Sequence, residues 1–233
     1  MNVGLSAPYE CGTRRIKGSS RIEGGEEVIP HSIPWQARLF INQVMGMDIE
    51  WMGTCGGTLI SQKHVLTAAH CVLDPRLPSH CSNYLVGLGM HYEKGDGIRK
   101  RVSKISHPED YDYDIKRNPV NDFALFTLAS PVELNDNIIP ACLPIYSMDH
   151  DFLVGKTLTV SGWGKGSNGV LHRAQYPGIR NDLCQALLNK NHADSCKHND
   201  IEFTITKSHL CAGIPYPNIK SHSSRDSGGK LNY

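Results

Sequence analysis

The sequence lacks an excess of charge of either sign. Its 233 residues hold 24 Lys and Arg against 23 Asp and Glu, so no electrostatic reason exists to expect a nucleic acid or an anionic membrane as a partner. A run of about 18 apolar residues, which a membrane-spanning helix needs, is absent as well. The first residues, MNVGLSAPYE, have neither the basic nor the apolar region of a signal peptide. These absences argue against nucleic-acid binding, a membrane span and a signal peptide within the chain.

The cysteines lack the CxxC spacing that is typical of structural zinc sites. Eight are dispersed along the chain, at Cys11, Cys55, Cys71, Cys81, Cys142, Cys184, Cys196 and Cys211. Dispersed cysteines favour disulfides, which need an oxidising compartment. We therefore predict a secreted, extracellular protein whose signal peptide is missing from this N-terminus. Because the 12 histidines show no close ligand pair on a helix face, neither a metal nor any other cofactor is predicted.

Short β-rich segments dominate the chain. Turns rich in Gly, Pro, Asn and Asp separate them, and the segments are Gln36 to Ile41, Thr58 to Ile60, His64 to Thr67, Phe123 to Leu128 and Thr157 to Val160. A helical pattern is weak except near Asn181 to Asn189, and a polar stretch follows from Lys190 to Asp200. The pattern predicts an all-β fold of short antiparallel strands, either a barrel or a sandwich.

Three residues could carry chemistry together. His70 closes the apolar segment LTAAHC, Asp122 directly precedes the strand-like FALF, and Ser227 lies in DSGG. Each also has an ordinary interpretation, as a structural histidine, a turn aspartate and a Gly-rich turn. The combination is more specific, because a serine becomes a nucleophile only when an imidazole removes its proton and a carboxylate orients that imidazole. The chain order His, Asp, Ser is one of the few known for such a triad.

Several further motifs in one order make the chain resemble a trypsin/chymotrypsin-like serine protease of the S1 family. They are RIEGG from Arg21, PWQ from Pro34, CGGTLI from Cys55, TAAHC from Thr67, NDFAL from Asn121, PACLP from Pro140, SGWG from Ser161, LCAG from Leu210 and DSGG from Asp226. The match extends from about Cys11 to Leu231.

The resemblance implies two antiparallel β-barrels of the chymotrypsin type, with the active site in the cleft between them. The first barrel would cover about residues 22–135 and the second about 136–233, after a propeptide or linker remnant at 1–21 that is tethered through Cys11. The chain ends soon after Ser227, so the second barrel is expected to be incomplete and the chain to be C-terminally truncated.

The same resemblance assigns roles to residues. His70, Asp122 and Ser227 would be catalytic, and the backbone amides of Arg225 and Ser227 would form the oxyanion hole, with Arg225 where the family has Gly. Cleavage after Arg21 would free the Ile22 amine to pair with Asp226, so the chain is expected to be a zymogen. Glu23 departs from the apolar residue that usually follows Ile22.

Substrate preference would depend on Ser221, at the position of the floor of the specificity pocket. A trypsin-like enzyme has Asp there to pair with substrate Lys or Arg. A neutral floor favours a large apolar or aromatic side chain over a basic one.

By resemblance, Cys55 pairs with Cys71, Cys11 with Cys142 and Cys184 with Cys211. Cys81 and Cys196 have no family partners, so a bond between them, a free state and a bond to another chain all stay open. Ser223, Leu158 and Tyr233 stand where the family has further cysteines.

The resemblance predicts a serine endopeptidase that acts through an acyl-enzyme. Its partners would be protein or peptide substrates, an activating protease and protein inhibitors. The alternative is a catalytically impaired homologue that acts as a binding protein, which Arg225, Ser223 and the short C-terminal end favour. Arg99, Lys100, Arg101 and Lys104 form either a binding site for an acidic protein or a heparin-like glycan, or an ordinary solvated strand face.

Overall fold

A computed structural model gives the arrangement of most of the chain. It describes residues 9–16, 25–45, 48–74, 77, 80–111, 120–144, 150–164, 166–194, 204–207, 209–213 and 230–232. The strands are β1 (Glu26–Glu27), β2 (Gln36–Met45), β3 (Asp48–Ser61), β4 (His64–Thr67), β5 (Tyr84–Leu88), β6 (Ile98–Ser106), β7 (Ala124–Leu128), β8 (Thr157–Gly162), β9 (His172–Ile179), β10 (Cys211–Ala212) and β11 (Lys230–Asn232). The helices are α1 (His70–Leu73), α2 (His150–Leu153) and α3 (Asn181–Asp194), with a 3-10 turn at Cys81–Asn83.

Six antiparallel strands close into a barrel in the order β2-β3-β4-β7-β6-β5. A second, five-stranded sheet has the order β1-β9-β8-β11, with β10 also paired to β9. This architecture confirms the predicted all-β, chymotrypsin-like fold class. The predicted division near residue 135 stays a prediction, but β1 pairs with β9 of the second sheet although it lies within 22–135.

The barrel interior is filled by apolar side chains that alternate along the strands. On β7 every second residue, Ala124, Phe126 and Leu128, is fully buried, as expected for a strand whose one face lines a core. Tyr84 is also fully buried, and its ring meets that of Phe126 edge to face with centroids 5.5 Å apart. Burial of these side chains supplies the main favourable term for folding of the barrel.

Tyr84 gives the barrel a predicted sensitivity to alkaline pH. Burial, followed by the charge of Asp74, raises the pKa of Tyr84 to about 12, against about 10 in an unfolded chain. The stabilisation is therefore fully present below pH 10 and is lost as the pH rises towards 12, by on the order of 2 to 3 kcal/mol. Chemical denaturation at pH 9, 10 and 11 should show this loss for wild type and a smaller loss for Tyr84→Phe. Equal pH dependence in the two proteins would contradict the assignment.

The α-helix at Asn181 differs from the sequence prediction in length. It continues to Asp194, past Asn189 and into the polar stretch that begins at Lys190. Its residues are mostly polar and the helix makes limited use of an apolar face, so apolar periodicity could not indicate where it ends. No helix in the described residues is both long and apolar enough to cross a membrane.

Candidate active site

His70 lies where β4 passes into α1. Ala68 and Ala69, which connect the two elements, are fully buried, and Cys71 is bonded to Cys55 of β3. The chain on both sides of His70 is therefore fixed to the barrel, while the His70 side chain is 45% exposed. This arrangement presents an imidazole at the surface on a rigid support.

Strand pairing brings Asp122 to His70 from a distant part of the sequence. Thr67 at the end of β4 pairs with Ala124 at the start of β7. Because the strands are antiparallel, the chain that leaves β4 and the chain that enters β7 lie at the same edge of the barrel. His70 and Asp122 meet at this edge.

Two hydrogen bonds join His70 to Asp122. The His70 backbone N–H donates to Asp122 Oδ1 at 2.9 Å, and the His70 Nδ1 lies 2.8 Å from Asp122 Oδ2. An ionised carboxylate only accepts hydrogen bonds, so Nδ1 carries the proton and Nε2 is left as the basic nitrogen. The pair can thus accept a proton at Nε2 and stabilise the resulting imidazolium.

The other predicted site residues lie outside the described part of the chain. They are Arg21, Ile22, Ser221, Arg225, Asp226 and Ser227. The structure brings His70 and Asp122 together, and the catalytic roles of all these residues stay predictions.

One group of side chains, which includes His70, has the residue types of a metal site. Ligand atoms of Cys55, His70 and Cys71 lie within 4.8 Å of one another. The two sulfur atoms are joined in a disulfide, so neither is available as the thiolate that a metal binds. We assign this group to the support of His70.

The pairs inferred by resemblance, Cys55–Cys71, Cys11–Cys142 and Cys184–Cys211, are disulfides in the structure. Three disulfides fit an oxidising, extracellular location. Among the described cysteines Cys81 is free, and its thiol lies 3.4 Å from the carbonyl oxygen of Ser103. Cys196 is outside the described residues.

Sequence reasoning missed a residue beside Asp122. Asn121 has a left-handed backbone with φ of 58°, and its side-chain amide donates to Asp110 Oδ2 at 2.7 Å. The Phe123 N–H donates to the Asn121 carbonyl at 2.7 Å, which makes a tight turn around Asp122. The available signal was the residue type, because Asn tolerates this conformation better than most residues.

We expect Asn121→Ala to lower the free energy of unfolding by about 1 to 3 kcal/mol, since Ala loses the bond to Asp110 and tolerates a left-handed backbone less well. Asn121→Gly is the matched control, because Gly adopts this φ freely and loses only the hydrogen bond. Urea denaturation of the three proteins measures the difference. If Ala and Gly cost the same, the backbone conformation contributes nothing.

A group of charged and aromatic side chains around the buried Arg38 and His91 links the barrel to the second sheet, and sequence reasoning missed it too. Arg38 of β2 pairs with Glu93, and its guanidinium lies 5.8 Å from the ring centre of Trp163. The Trp163 indole N–H donates to the His91 carbonyl at 3.0 Å, and His91 Nε2 lies 3.0 Å from Glu27 Oε1. The signal was an arginine within the apolar run of β2, which needs a partner when buried.

Two further polar contacts involve strands of the second sheet. Ser161 of β8 donates to the Gln36 side-chain oxygen of β2 at 2.6 Å, with both residues buried. Arg173 of β9 makes two hydrogen bonds to Glu26, at 2.8 and 2.7 Å. The Ser161–Gln36 bond therefore joins the second sheet to the barrel through buried polar groups, whereas Arg173 and Glu26 both belong to the second sheet, where their bonds hold β1 to β9.

Comparison with known proteins gives consistent matches over nearly the whole chain. The family model described as Trypsin matches residues 22–232. The chain is 33% identical to "Serine protease filzig" of Drosophila melanogaster, over 99% of this chain and 13% of that protein. It is 30% identical to "Clotting factor G beta subunit" of Tachypleus tridentatus, over 96% of this chain and 68% of that protein.

A further relative is "Chymotrypsin-C" of Bos taurus, which is 34% identical over 92% of this chain and 73% of that protein. The chain thus spans a small part of filzig and more than two thirds of the other two relatives. The barrel, the His70–Asp122 pair at its edge and the match over residues 22–232 agree: this chain belongs to the trypsin family and is, by resemblance, a serine endopeptidase.

Proposed function

We propose that the protein is a secreted serine endopeptidase, made as a zymogen and activated by cleavage after Arg21. Ser227 would attack the carbonyl carbon of a peptide bond and form an acyl-enzyme, which water then hydrolyses. The observation that carries the proposal is the His70–Asp122 pair, with Nδ1 2.8 Å from Oδ2. The pair leaves Nε2 free to take the Ser227 proton and later to give it to the leaving amine.

The oxyanion of the intermediate would be bound by the backbone amides of Ser227 and Arg225. Arg225 keeps an N–H, so the substitution of the usual Gly removes no donor. Loss of one such donor costs on the order of 2.7 to 4 kcal/mol in the transition state, which makes the direction of the Arg225 amide decisive for the rate.

Activation would depend on the new amine at Ile22. A buried ammonium is stable only with a carboxylate partner, and Asp226 beside the nucleophile would provide it. The contacts that follow this segment in the chain support the proposal. Glu26 and Glu27 already pair with Arg173 and His91, so a cut at Arg21 would leave β1 held in place.

Ser221 would give the pocket a neutral floor. We therefore propose cleavage after large apolar or aromatic side chains, and partners that comprise such protein substrates, an activating protease and protein inhibitors. Comparison of peptide substrates with Arg, Phe or Leu before the scissile bond tests the preference, and a strong preference for Arg would contradict it.

A second function has support from Arg225 and Ser223, both of which depart from the family pattern. These changes favour a catalytically impaired homologue that binds proteins through the same surface. The His70–Asp122 geometry favours the enzyme, because binding alone does not require an oriented imidazole.

Labelling with a fluorophosphonate separates the two functions. The chain is compared before and after cleavage at Arg21, with Ser227→Ala as the control for the labelled residue and circular dichroism as the control for folding. Labelling that needs both Ser227 and cleavage supports a zymogen. A folded, cleaved chain that does not react would favour the binding protein, and equal reaction before cleavage would contradict activation at Arg21.

A further inference from the structure

Five basic side chains lie on or beside β6, towards the edge of the barrel where β7 ends. His70 and Asp122 lie at the opposite edge, where β7 begins. We call the five basic side chains the basic strip, and they are Lys63, Arg99, Lys100, Arg101 and Lys104. Four belong to β6, and Lys63 lies in the turn between β3 and β4. Its place beside β6 follows from the backbone, because Leu128 N–H donates to the Lys63 carbonyl and the next residue, Ala129, donates to the Arg101 carbonyl, both at 2.9 Å.

Three of the four β6 cations in the basic strip lie exposed on the outside of the barrel. Arg99, Arg101 and Lys104 are exposed, whereas Val102 between them is buried in the barrel. From Arg99 to Lys104 the strand covers about 16 Å at 3.3 Å per residue. The strip thus places a row of exposed cations along one strand of the barrel, with a register shift between Val102 and Lys104.

Two of these cations are held in place by neutral groups. The Arg99 guanidinium lies 4.8 Å from the ring centre of Phe40, which restricts its rotation. Lys100 Nζ donates to Ser130 Oγ at 3.3 Å and to the Pro131 carbonyl at 3.1 Å. Both charges are positioned without being neutralised.

No acidic side chain in the described part of the chain forms an ion pair with the basic strip. Asp96, three residues before Arg99, accepts instead from the backbone N–H groups of His91 and Tyr92. Other acids pair with cations elsewhere, as Glu93 does with Arg38 and Asp182 with Arg180. The net charge of the whole chain is therefore nearly balanced, at +1, but the basic strip carries a local excess of positive charge.

We propose that the basic strip binds a sulfated glycan chain. Sulfate and carboxylate groups that recur along a linear polymer complement a row of cations, and guanidinium groups bind such oxyanions through paired donors. A protein partner would need an apolar or aromatic anchor at the centre of the contact. Within β6 the exposed large apolar side chain is Ile98, 39% exposed and at the end of the strand, so charge is the main feature that a ligand can recognise.

The test measures binding of a fluorescent heparin hexasaccharide to the full chain carrying Ser227→Ala, so that the result does not depend on proteolysis. We expect binding that weakens with salt, and a loss of at least about tenfold in affinity in the double variant Arg101→Gln/Lys104→Gln. Arg99 and Lys100 are left intact because Arg99 also packs on the Phe40 ring and Lys100 also donates to Ser130. Their substitution would change packing as well as charge.

The matched control is Arg15→Gln/Lys156→Gln, which removes two exposed cations that lie outside β6. It should change the affinity by less than about twofold. Equal losses in the two double variants would overturn the proposal in favour of unspecific attraction. Competition by polyglutamate as strong as that by heparin would overturn it in favour of an acidic protein partner, and failure of wild type to bind at physiological salt would overturn it outright. An unsulfated glycan of equal length should not compete.

Discussion

The turnover number of the activated protein should fall by about 10⁶-fold in His70→Ala, the size of loss that removal of the same base causes in subtilisin, which has the triad on an unrelated fold. Without the imidazole nothing accepts the Ser227 proton, because the triad carboxylate orients and stabilises the imidazolium and takes no proton itself. Burst and steady-state kinetics with an ester of an aromatic amino acid would measure the loss.

Folding must be unaffected for this result to have meaning. His70 is 45% exposed on its side-chain surface, so its truncation leaves little cavity, and the Cys55–Cys71 disulfide still holds the segment. Thermal unfolding should therefore be close to that of wild type. A folded His70→Ala protein that keeps more than about 1% of the turnover number would refute the assigned role.

Asp122→Asn should lower the turnover number by about 10⁴-fold, the magnitude that this family shows for loss of the triad carboxylate. The two Asp122 oxygens accept from the His70 backbone N–H and from Nδ1. The Asn oxygen can replace one acceptor, but its NH₂ group donates, so the ring is pushed to the tautomer with the proton on Nε2. That nitrogen then cannot take the serine proton.

Nearly isosteric substitution separates orientation from chemistry. Because Asn fills the same space, Asp122→Asn should retain the fold, whereas Asp122→Ala also loses the contact to the backbone of His70. The turnover numbers of the two variants measure the effect on catalysis, and urea denaturation of both variants measures the effect on folding. A loss smaller than tenfold in Asp122→Asn would mean that tautomer control is not the role of this carboxylate.

Local sequence patterns predicted the strands where the apolar alternation is strong. β4 has the predicted bounds, His64–Thr67. β7 starts at Ala124, one residue later than predicted, because Phe123 takes part in the turn at Asn121 and is 50% exposed.

Patterns failed where polar residues continue a strand. The predicted segments Gln36 to Ile41 and Thr58 to Ile60 belong to a much longer hairpin, Gln36–Met45 with Asp48–Ser61. Its outer part is defined by pairs between Asn42 to Met45 and Asp48 to Trp51, and the partner of a residue across a hairpin is not written in its own local sequence.

The contact between His70 and Asp122 was predictable from the sequence, but the contacts that surround it were not. His70 and Asp122 were found because the order of the triad and its flanking motifs are specific. The pair Arg38 and Glu93 is 55 residues apart, and nothing near either residue indicates the other. Contacts of this kind depend on how the barrel and the sheet meet, which a single sequence does not encode locally.

The closed ring of six strands limits how the barrel can unfold locally. Each strand from β2 to β7 has hydrogen-bonded neighbours on both sides, so none can detach without breaking two ladders. Backbone amide protons in the ring should therefore exchange with deuterium together, through one shared opening close to global unfolding. β1 and β10, each two residues long and paired along one side, should exchange sooner and independently, so that the slowest amides mark a closed circle of strands.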